Sequence, residues 1–241
     1  MIPTVIVPIL NQPDLLRRMI ASIDHPVGRM VVIDNGDVVD PEIGGRPPYP
    51  PFPTRVIAPG HNLGVSASWN LGIKATPLSP WWLIVNHDIE FGAGDLARLD
   101  AMVEPRGAIL YEMVGLAAFV VTPPLLDAVG FFDEGGFHPA YDEDIDFVRR
   151  VTLAGLPRIT VPFTGTHVGS ATIHSDPTYR HFNSRTHPAN DRYYAAKWGG
   201  EKEGGETFTT PFNRGGHLGD WRLDINRLRD QAWPKSTKED Q

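Results

Sequence analysis

The densest group of acidic side chains in this 241-residue sequence is the stretch Tyr141-Asp142-Glu143-Asp144-Ile145-Asp146, which holds four carboxylates in five positions. Favourable charge at a helix N-terminus accounts for one or two of these carboxylates but not for four. Crowded carboxylates raise one another's proton affinity, which can tune one of them as a general base. The stretch is therefore the first candidate for catalytic chemistry.

Other polar side chains follow predicted strands at the points where the strands end. Asn11 comes just after the first predicted strand, Asp34-Asn35 after the second, and Asn86-His87-Asp88 after the fourth. An Asp in such a position is more often a cap or a turn former than a ligand. However, ligands of open α/β sheets bind beyond the carboxyl ends of the strands. Three polar clusters on one edge therefore indicate a binding site.

Asp88 is a candidate ligand for a hard divalent cation, which prefers oxygen ligands. One carboxylate does not hold such an ion, so a second protein ligand is needed. His167, which follows a later predicted strand, can supply it. A lone histidine is more often structural or solvated, and only its pairing with Asp88 makes a metal role a serious hypothesis.

The elements that would position these groups alternate between strands and helices. Continuous apolar runs predict strands at residues 4–9, 30–33, 56–58, 82–85 and 159–162, with one or two more within 109–121. Helical spacing and caps predict helices just after Asn11 and at residues 66–74, 96–102, 124–129, 141–154, 191–198 and 220–233. The opening strand, helix and strand form a βαβ unit, which implies a parallel pair. The predicted fold class is therefore α/β.

Composition and charge exclude several classes of protein. Hydrophobic residues make up 41% and charged residues 21%, which is typical of a globular chain rather than a disordered or collagenous one. The formal net charge of −7 provides no basic field for non-specific nucleic-acid binding. Cysteine is absent, so disulfides and thiolate metal sites are excluded. The apolar N-terminus has no basic n-region and is too short to span a bilayer, so we expect a cytoplasmic protein without stable membrane insertion.

Three further segments leave alternatives open. The five prolines of residues 44–55 predict a stiff surface insertion between strands, with a ligand for a partner protein as the alternative. The aromatic and His-rich residues 179–187 are predicted to be a solvated loop, and an acceptor wall or a lid is the alternative. The amphipathic helix at 220–233 is expected to dock on its own domain, and a homodimer contact is the alternative.

Short motifs recur along the chain in a characteristic order. They are Val5-Ile6-Val7-Pro8 with Asn11 and Leu15-Leu16-Arg17, Val32-Ile33-Asp34-Asn35-Gly36, Asn62-Leu63-Gly64 with Asn70-Leu71-Gly72-Ile73, Asn86-His87-Asp88, Val129-Gly130-Phe131-Phe132-Asp133-Glu134, Glu143-Asp144-Ile145-Asp146 with Arg150, His167-Val168-Gly169-Ser170, and Tyr194 followed by Lys197-Trp198-Gly199. This order resembles family 2 glycosyltransferases of the GT-A fold, close to the rhamnosyl- and galactofuranosyltransferase-like branch. The likeness runs from about residue 2 to residue 200.

The resemblance implies a GT-A catalytic domain at residues 1–200, built on a Rossmann-like mixed sheet flanked by helices, and a helical C-terminal extension at 201–241. It implies inverting transfer of a sugar from a donor linked to UDP, dTDP or GDP. The acceptor would be a hydroxyl of a glycan, a glycolipid, a protein or another molecule. Asp88 and His167 would hold Mn²⁺ or Mg²⁺ against the diphosphate.

The resemblance also assigns roles to single residues. Those placed at the donor are Pro8, Leu10, Asn11, Asp34, Asn62, Asn86, His87 and Asp88. Among these, Asp34 would contact the base or the ribose. Asp144 would be the general base, with Glu143 as the second choice. Those placed on the acceptor side are Phe132, Asp133, Glu134 and Tyr141.

Some positions depart from the family pattern. Asn86 replaces the first carboxylate of the DxD motif, and Trp69 stands where many relatives carry an Arg. These departures favour, as the alternative function, a degenerate GT-A protein that binds a sugar nucleotide or a glycan without turnover. Retention of Asp88, Asp144 and His167 together argues for the enzyme. A sugar nucleotidyltransferase is disfavoured because the first strand is not followed by a Gly-rich basic loop.

Overall fold

The computed structural model describes residues 1–40 and 52–213, which build a mixed sheet with helices on both faces. The strands are β1 (Val5–Ile9), β2 (Met30–Asp34), β3 (Thr54–Ile57), β4 (Trp82–Val85), β5 (Ile89–Glu90), β6 (Leu110–Glu112), β7 (Ala118–Val121), β8 (Arg158–Thr160) and β9 (Thr166–His167). The helices are α1 (Pro13–Ala21), α2 (Val65–Lys74), α3 (Asp95–Met102), α4 (Pro123–Val129), α5 (Glu143–Leu153), α6 (Ala171–Ser175) and α7 (Pro177–Trp198). The predicted α/β class is confirmed.

Seven strands form the main sheet in the order β3-β2-β1-β4-β7-β6-β8. β1 is parallel to β2 and to β4, and β2 is parallel to β3. β7 is antiparallel to both β4 and β6, and β6 is parallel to β8. The strand order reverses at β1, because β2 lies on one side of it and β4 on the other. Such a switch point is where open α/β sheets form their ligand crevices.

The central strands read as continuous apolar runs because both of their faces are covered. Along β1, the side chains of Val5, Val7 and Ile9 belong to one core cluster, and that of Ile6 belongs to the other. This alternation is the period of two of a β-strand. α1 and α3 cover the first face, and α2, α4 and α5 cover the second.

Most predicted elements are found within one or two residues of their expected bounds, and the stretch 109–121 contains two strands, β6 and β7. The sequence did not predict β5, β9 and α6, which are only two to five residues long. A run that short carries no readable periodicity.

The prediction that residues 179–187 form a solvated loop is wrong, because they belong to the 22-residue helix α7. Pro188 inside the helix and the polar composition obscured the helical period. Residues spaced along one face nevertheless pack inward, among them Tyr179, Asn183 and the buried Asn190. Asp176 caps the helix by accepting a hydrogen bond from Thr178 N at 2.7 Å.

Part of the chain lies outside the described residues. This holds for residues 44–51 of the proline-rich insertion and for the amphipathic segment 220–233, with both its expected docking on its own domain and the alternative homodimer contact. Residues 201–213 lie against the end of α7, where Phe208 N donates to Trp198 O at 2.8 Å. Within the described ranges, no helix combines the length and the apolar character needed to cross a membrane.

Candidate functional site

A cavity of about 370 Å³ opens where β1 and β4 end, at the reversal of the strand order. The predicted site residues that line it are Pro8, Leu10, Asn62, Asn86, His87, Asp88, Tyr141, Glu143, Asp144 and His167. The predicted site residues that do not line it are Asn11, Asp34, Phe132, Asp133 and Glu134. The fold therefore brings the predicted metal pair and both candidate bases to one cavity.

The pair Asp88 and His167 is assembled by a small antiparallel ladder. β5 follows Asp88 directly, and within the ladder Ile89 is the register partner of His167. Asp88 is buried, and its Oδ2 accepts a hydrogen bond from Gly169 N at 3.1 Å. The other carboxylate oxygen, Oδ1, lies 3.3 Å from His167 Nε2.

These two side chains fit a divalent cation. Asp88 Oδ1 is buried without a hydrogen-bond partner, which is unusual for a carboxylate oxygen. The set of one carboxylate and one imidazole offers two protein ligands and leaves the other coordination positions to phosphate oxygens and water. Metal binding would therefore satisfy an oxygen that accepts no hydrogen bond from the described residues and lies only within ion-pair distance of His167 Nε2.

A second group of possible ligands lies nearby but already has a cation. Asp142, His187 and Asp191 offer ligand atoms within 4.8 Å of one another. The ammonium group of Lys202 lies 2.6 Å from Asp142 Oδ1 and 2.9 Å from Asp191 Oδ1. Because this ammonium compensates both carboxylates, we assign no metal to the group.

The two candidate bases stand at the beginning of α5. Tyr141 and Asp142 precede them in the left-handed region, at φ 80° and 72°. Such a conformation costs of order 1–3 kcal/mol for a residue other than glycine and is typical of functional sites. Glu143 and Asp144 follow this backbone directly, and both line the cavity.

Glu143 and Asp144 differ in environment. Burial raises the pKa of Glu143 well above its ordinary value, and the neighbouring charges of Asp144 and Asp142 raise it further. Glu143 Oε2 has no hydrogen-bond partner. Asp144 is only partly buried, and its Oδ1 accepts a hydrogen bond from Ile145 N at 2.8 Å. Burial and the neighbouring charges therefore favour the neutral form of Glu143, whereas Asp144 is the more exposed of the two carboxyl groups.

Other buried polar atoms around the cavity also lack partners. They are Nε1 of Trp69 and Nε2 of His87. Burial lowers the pKa of His87 although the adjacent Asp88 carboxylate opposes this effect, so the imidazole is neutral. Buried polar groups are normally paired. The orphaned atoms of Trp69, His87, Asp88 and Glu143 together indicate a cavity that is completed by a polar ligand.

The structure places Asp34 and Asn11 behind the cavity wall. The carboxylate of Asp34 accepts hydrogen bonds from the backbone N–H groups of Gly36, Val38 and Val39 at 2.8–3.2 Å, so it holds the turn after β2. Asn11 Nδ2 donates to Ser175 Oγ at 2.8 Å and so ties the end of β1 to α6.

Asn35 lines the cavity in place of its neighbour Asp34. Its Oδ1 accepts from Leu63 N at 3.0 Å, and its Nδ2 donates to Ser68 Oγ at 2.9 Å. Asn35 belongs to the polar cluster expected after the second strand, but only its neighbour Asp34 was assigned to the donor. Neighbouring residues of a strand face opposite sides. Continuing the alternation of β2 past its end could therefore have indicated that Asn35 and Asp34 face different sides.

Three residues expected on the acceptor side are engaged elsewhere. Phe132 stacks on Phe147 with ring centres 4.3 Å apart. Asp133 Oδ2 lies 2.7 Å from Lys197 Nζ. Glu134 Oε2 accepts from Asn70 Nδ2 at 2.9 Å. Their contacts are those of a core and of an ion-pair network.

α7 contributes cavity residues that the sequence analysis did not name singly. Tyr179, Phe182 and Asn183 line the cavity from this helix. Tyr141, the remaining acceptor-side candidate, lines it as well, and its ring lies 4.8 Å from that of His187 in α7. Aromatic side chains thus form one wall of the cavity.

Comparison with known proteins identifies solved structures that share the fold of this chain. No protein-family model and no curated protein sequence matches the chain. The crystal structure of residues 1–349 of TarS from S. aureus matches with a TM-score of 0.53 and 15% identity, over 68% of this chain and 59% of that one. The same protein in complex with UDP matches with a TM-score of 0.53 and 15% identity, over 79% and 65%.

The structure of GalNAc-T7 with UDP, GalNAc and Mn²⁺ matches with a TM-score of 0.58 and 12% identity, over 95% of this chain and 56% of that one. The chain therefore spans less than two thirds of these neighbours. At such low identity the likeness concerns the fold. The chain has the GT-A architecture of glycosyltransferases.

Proposed function

We propose that the chain is an inverting glycosyltransferase of the family 2 type, which moves a sugar from a nucleoside-diphospho-sugar to an acceptor hydroxyl. The observation that carries the proposal is one cavity, at the switch point of the sheet, lined by both the Asp88–His167 pair and the Glu143–Asp144 pair. The first pair suits a diphosphate with its cation, and the second suits proton removal. Neighbours of the same fold have been seen with UDP, UDP-GlcNAc and Mn²⁺.

The donor would lie across the ends of β1 and β4. The residues to which we assign the nucleotide and the diphosphate are Pro8, Leu10, Asn35, Asn62, Asn86, His87 and Asp88, all of which line the cavity. Asp88 and His167 would hold Mn²⁺ or Mg²⁺, and this ion, when bound, compensates the negative charge of the departing diphosphate. Asn11 and Asp34 would serve the donor indirectly, by fixing α6 and the turn after β2.

Asp144 is the general base of this proposal. The acceptor oxygen attacks the anomeric carbon, its proton passes to the Asp144 carboxylate, and the bond between that carbon and the diphosphate oxygen breaks. A single in-line displacement inverts the configuration. Glu143 is the second choice, because burial raises its pKa and so favours its neutral form. In that form the side chain can donate a hydrogen bond to a sugar hydroxyl.

The acceptor would lie against the aromatic wall. Tyr141, Tyr179 and Phe182 line the cavity beside the carboxylates, and Phe182 remains 38% exposed. Flat aromatic faces with polar edges suit a ligand that has both apolar and hydroxyl surfaces. A sugar acceptor has such surfaces.

A thermal-shift panel tests donor binding. UDP, GDP, dTDP and CMP are each added with Mn²⁺, Mg²⁺ or EDTA to the wild type, Asp88→Asn and His167→Ala. A ligand at about 100 times its Kd stabilises the native state by roughly 2.7 kcal/mol. For a chain of this size that is about 5–11 °C in Tm. We expect one nucleotide to give a shift that requires the metal and both side chains.

Turnover is then measured with UDP-GlcNAc and other sugars linked to the nucleotide that binds. Asp144→Asn should retain the nucleotide shift and lose about 100- to 10,000-fold in kcat, the usual contribution of a general base. Asp127→Asn, at an exposed position of α4, is the control that should keep full turnover. Nucleotide binding without turnover in the wild type would favour the degenerate binding protein, a reading motivated by Asn86.

A further inference from the structure

The loop before α5 has a conformation that its own sequence does not favour. Tyr141 and Asp142 both adopt positive φ, and neither is a glycine. Two consecutive residues of this kind persist only where the surroundings hold them. Because Glu143 and Asp144 follow at once, the direction of both carboxylates depends on what holds residues 138–142.

A single side chain of α7 makes three hydrogen bonds to this loop. Asn190 Nδ2 donates to Ala140 O at 2.8 Å and to Tyr141 O at 3.0 Å. Asn190 Oδ1 accepts from His138 N at 3.3 Å. Asn190 is only 2% exposed, so water does not compete for these backbone groups. The amide thus joins both halves of the loop.

α7 itself is fixed to the helix that carries the bases. Lys197 Nζ lies 2.6 Å from Asp146 Oδ1, and Trp198 Nε1 donates to the same oxygen at 2.9 Å. On its other side the loop is held by Val65 N, which donates to Pro139 O at 2.7 Å. Asn190 therefore extends from a helix whose C-terminal end is anchored to α5.

We propose that Asn190 is a positioning residue for sugar transfer, whose side-chain amide fixes the loop 138–142 and thereby aims the Asp144 carboxylate at the acceptor hydroxyl. This proposal rests on the proposed function. Asn190 acts through the backbone and does not line the cavity. The donor residues at the ends of β1 and β4 receive no hydrogen bond from it.

The test separates aiming from packing. Asn190→Asp keeps the volume of the side chain but replaces the donor amide by an oxygen that faces two carbonyl oxygens. We expect kcat with UDP-GlcNAc, or with whichever sugar nucleotide the wild type turns over, to fall about 10- to 100-fold, as for a misplacement near 1 Å. The KM for the donor should stay within about twofold. Asn190→Ala should lose no more than Asn190→Asp, whereas a packing role predicts that Asn190→Asp is the milder change.

Tyr194→Phe is the matched control. It removes a hydrogen bond from the same helix, but one to Glu206 Oε1 at 2.7 Å rather than to the loop. We expect kcat to be unchanged in this variant even where Tm falls. If Tyr194→Phe lowers kcat as much as Asn190→Asp at equal loss of Tm, general destabilisation explains both and the proposal fails.

Amide hydrogen exchange gives a readout that does not need turnover. In Asn190→Asp, or in the milder Asn190→Ser if the first variant does not fold, the peptide 138–145 should exchange at least tenfold faster, while peptides from β1 and β4 should not change. If this peptide exchanges at the same rate in the variant as in the wild type, the proposal is overturned. If the wild type binds a nucleotide but transfers no sugar, only the proposed function is refuted. The hydrogen-exchange rate of peptide 138–145 would still decide whether Asn190 holds the loop.

Discussion

The buried ammonium of Lys197 allows a sharp test of how α7 is joined to α5 and to the segment that carries Asp133. Lys197 is 6% exposed and lies 2.7 Å from Asp133 Oδ2 and 2.6 Å from Asp146 Oδ1. Lys197→Met keeps most of the aliphatic side chain and removes the charge. The fully buried Asp146 and the partly buried Asp133 then lose their shared cation, and breaking a buried pair costs about 3–5 kcal/mol.

We expect Lys197→Met to lower the free energy of unfolding by an amount at the lower end of that range, because both carboxylates keep other partners. Asp146 keeps Arg150 Nε at 3.0 Å, and Asp133 keeps the Tyr193 hydroxyl at 2.6 Å. A loss of about 3 kcal/mol corresponds to a fall in Tm of roughly 6–12 °C for a chain of this length. Lys74→Met is the control, because Lys74 and Glu134 form an exposed pair at 3.5 Å, for which we expect less than about 1 kcal/mol.

The assay is urea unfolding of wild type, Lys197→Met, Asp133→Asn and the double variant. The cycle should give a coupling energy of at least about 1 kcal/mol, because the two charged groups are in direct contact and Lys197 is buried. A loss below about 1 kcal/mol in Lys197→Met, or strict additivity in the cycle, would refute the view that this ion pair anchors α7.

The same pair predicts how stability depends on pH. Burial alone would raise the pKa of Asp133, but the charge and hydrogen bond of Lys197, with the hydrogen bond of Tyr193, lower it below its ordinary value. A lowered pKa in the folded state contributes stability above the ordinary value of about 3.9. That contribution is lost as the pH falls through the lowered folded pKa. The difference in stability between wild type and Lys197→Met should therefore narrow in strong acid.

Two further substitutions test the cavity wall and the core. Gly36→Ala should lower the free energy of unfolding by about 1–3 kcal/mol, because its Cβ would lie 1.8 Å from the backbone oxygen of Leu10. It should also reduce the nucleotide-induced rise in Tm. Gly135→Ala is the control and should be nearly neutral in the same measurements, because its Cβ would meet only Asp133 Oδ1 at 3.5 Å. Phe132→Ala should lower the free energy of unfolding in urea by about 3–5 kcal/mol and leave the KM for the acceptor unchanged, because Phe132 is in the core and only 3% exposed. Phe131→Ala is the control, because Phe131 is 44% exposed. A raised acceptor KM at unchanged stability would instead support the acceptor-side role expected from the sequence.

Most of the fold could be predicted from apolar and helical patterns among residues close together in the sequence. The apolar run of β1 predicted a strand covered on both faces, and Ile6 and Val7 indeed belong to different core clusters. The helical spacing after Asn11 predicted α1. These signals are legible because burial imposes a period on neighbouring residues. The last part of α7, residues 191–198, was predicted as a helix. Its first part was missed because the inward face is polar, with Asn183 and Asn190 where an apolar stripe would be expected.

The sequence by itself also determined which residues can do chemistry: the carboxylates at 143 and 144, the polar groups after β1 and β4, and the Asp88–His167 pair as a hypothesis. Only the tertiary structure decided which of these meet. The ladder between β5 and β9 joins Asp88 to His167. The core and the Lys197 network take Phe132 and Asp133 away from the cavity. The physical reason is that periodicity and capping act between near neighbours, whereas a side chain's partner and its exposure to water depend on contacts between segments far apart in the chain.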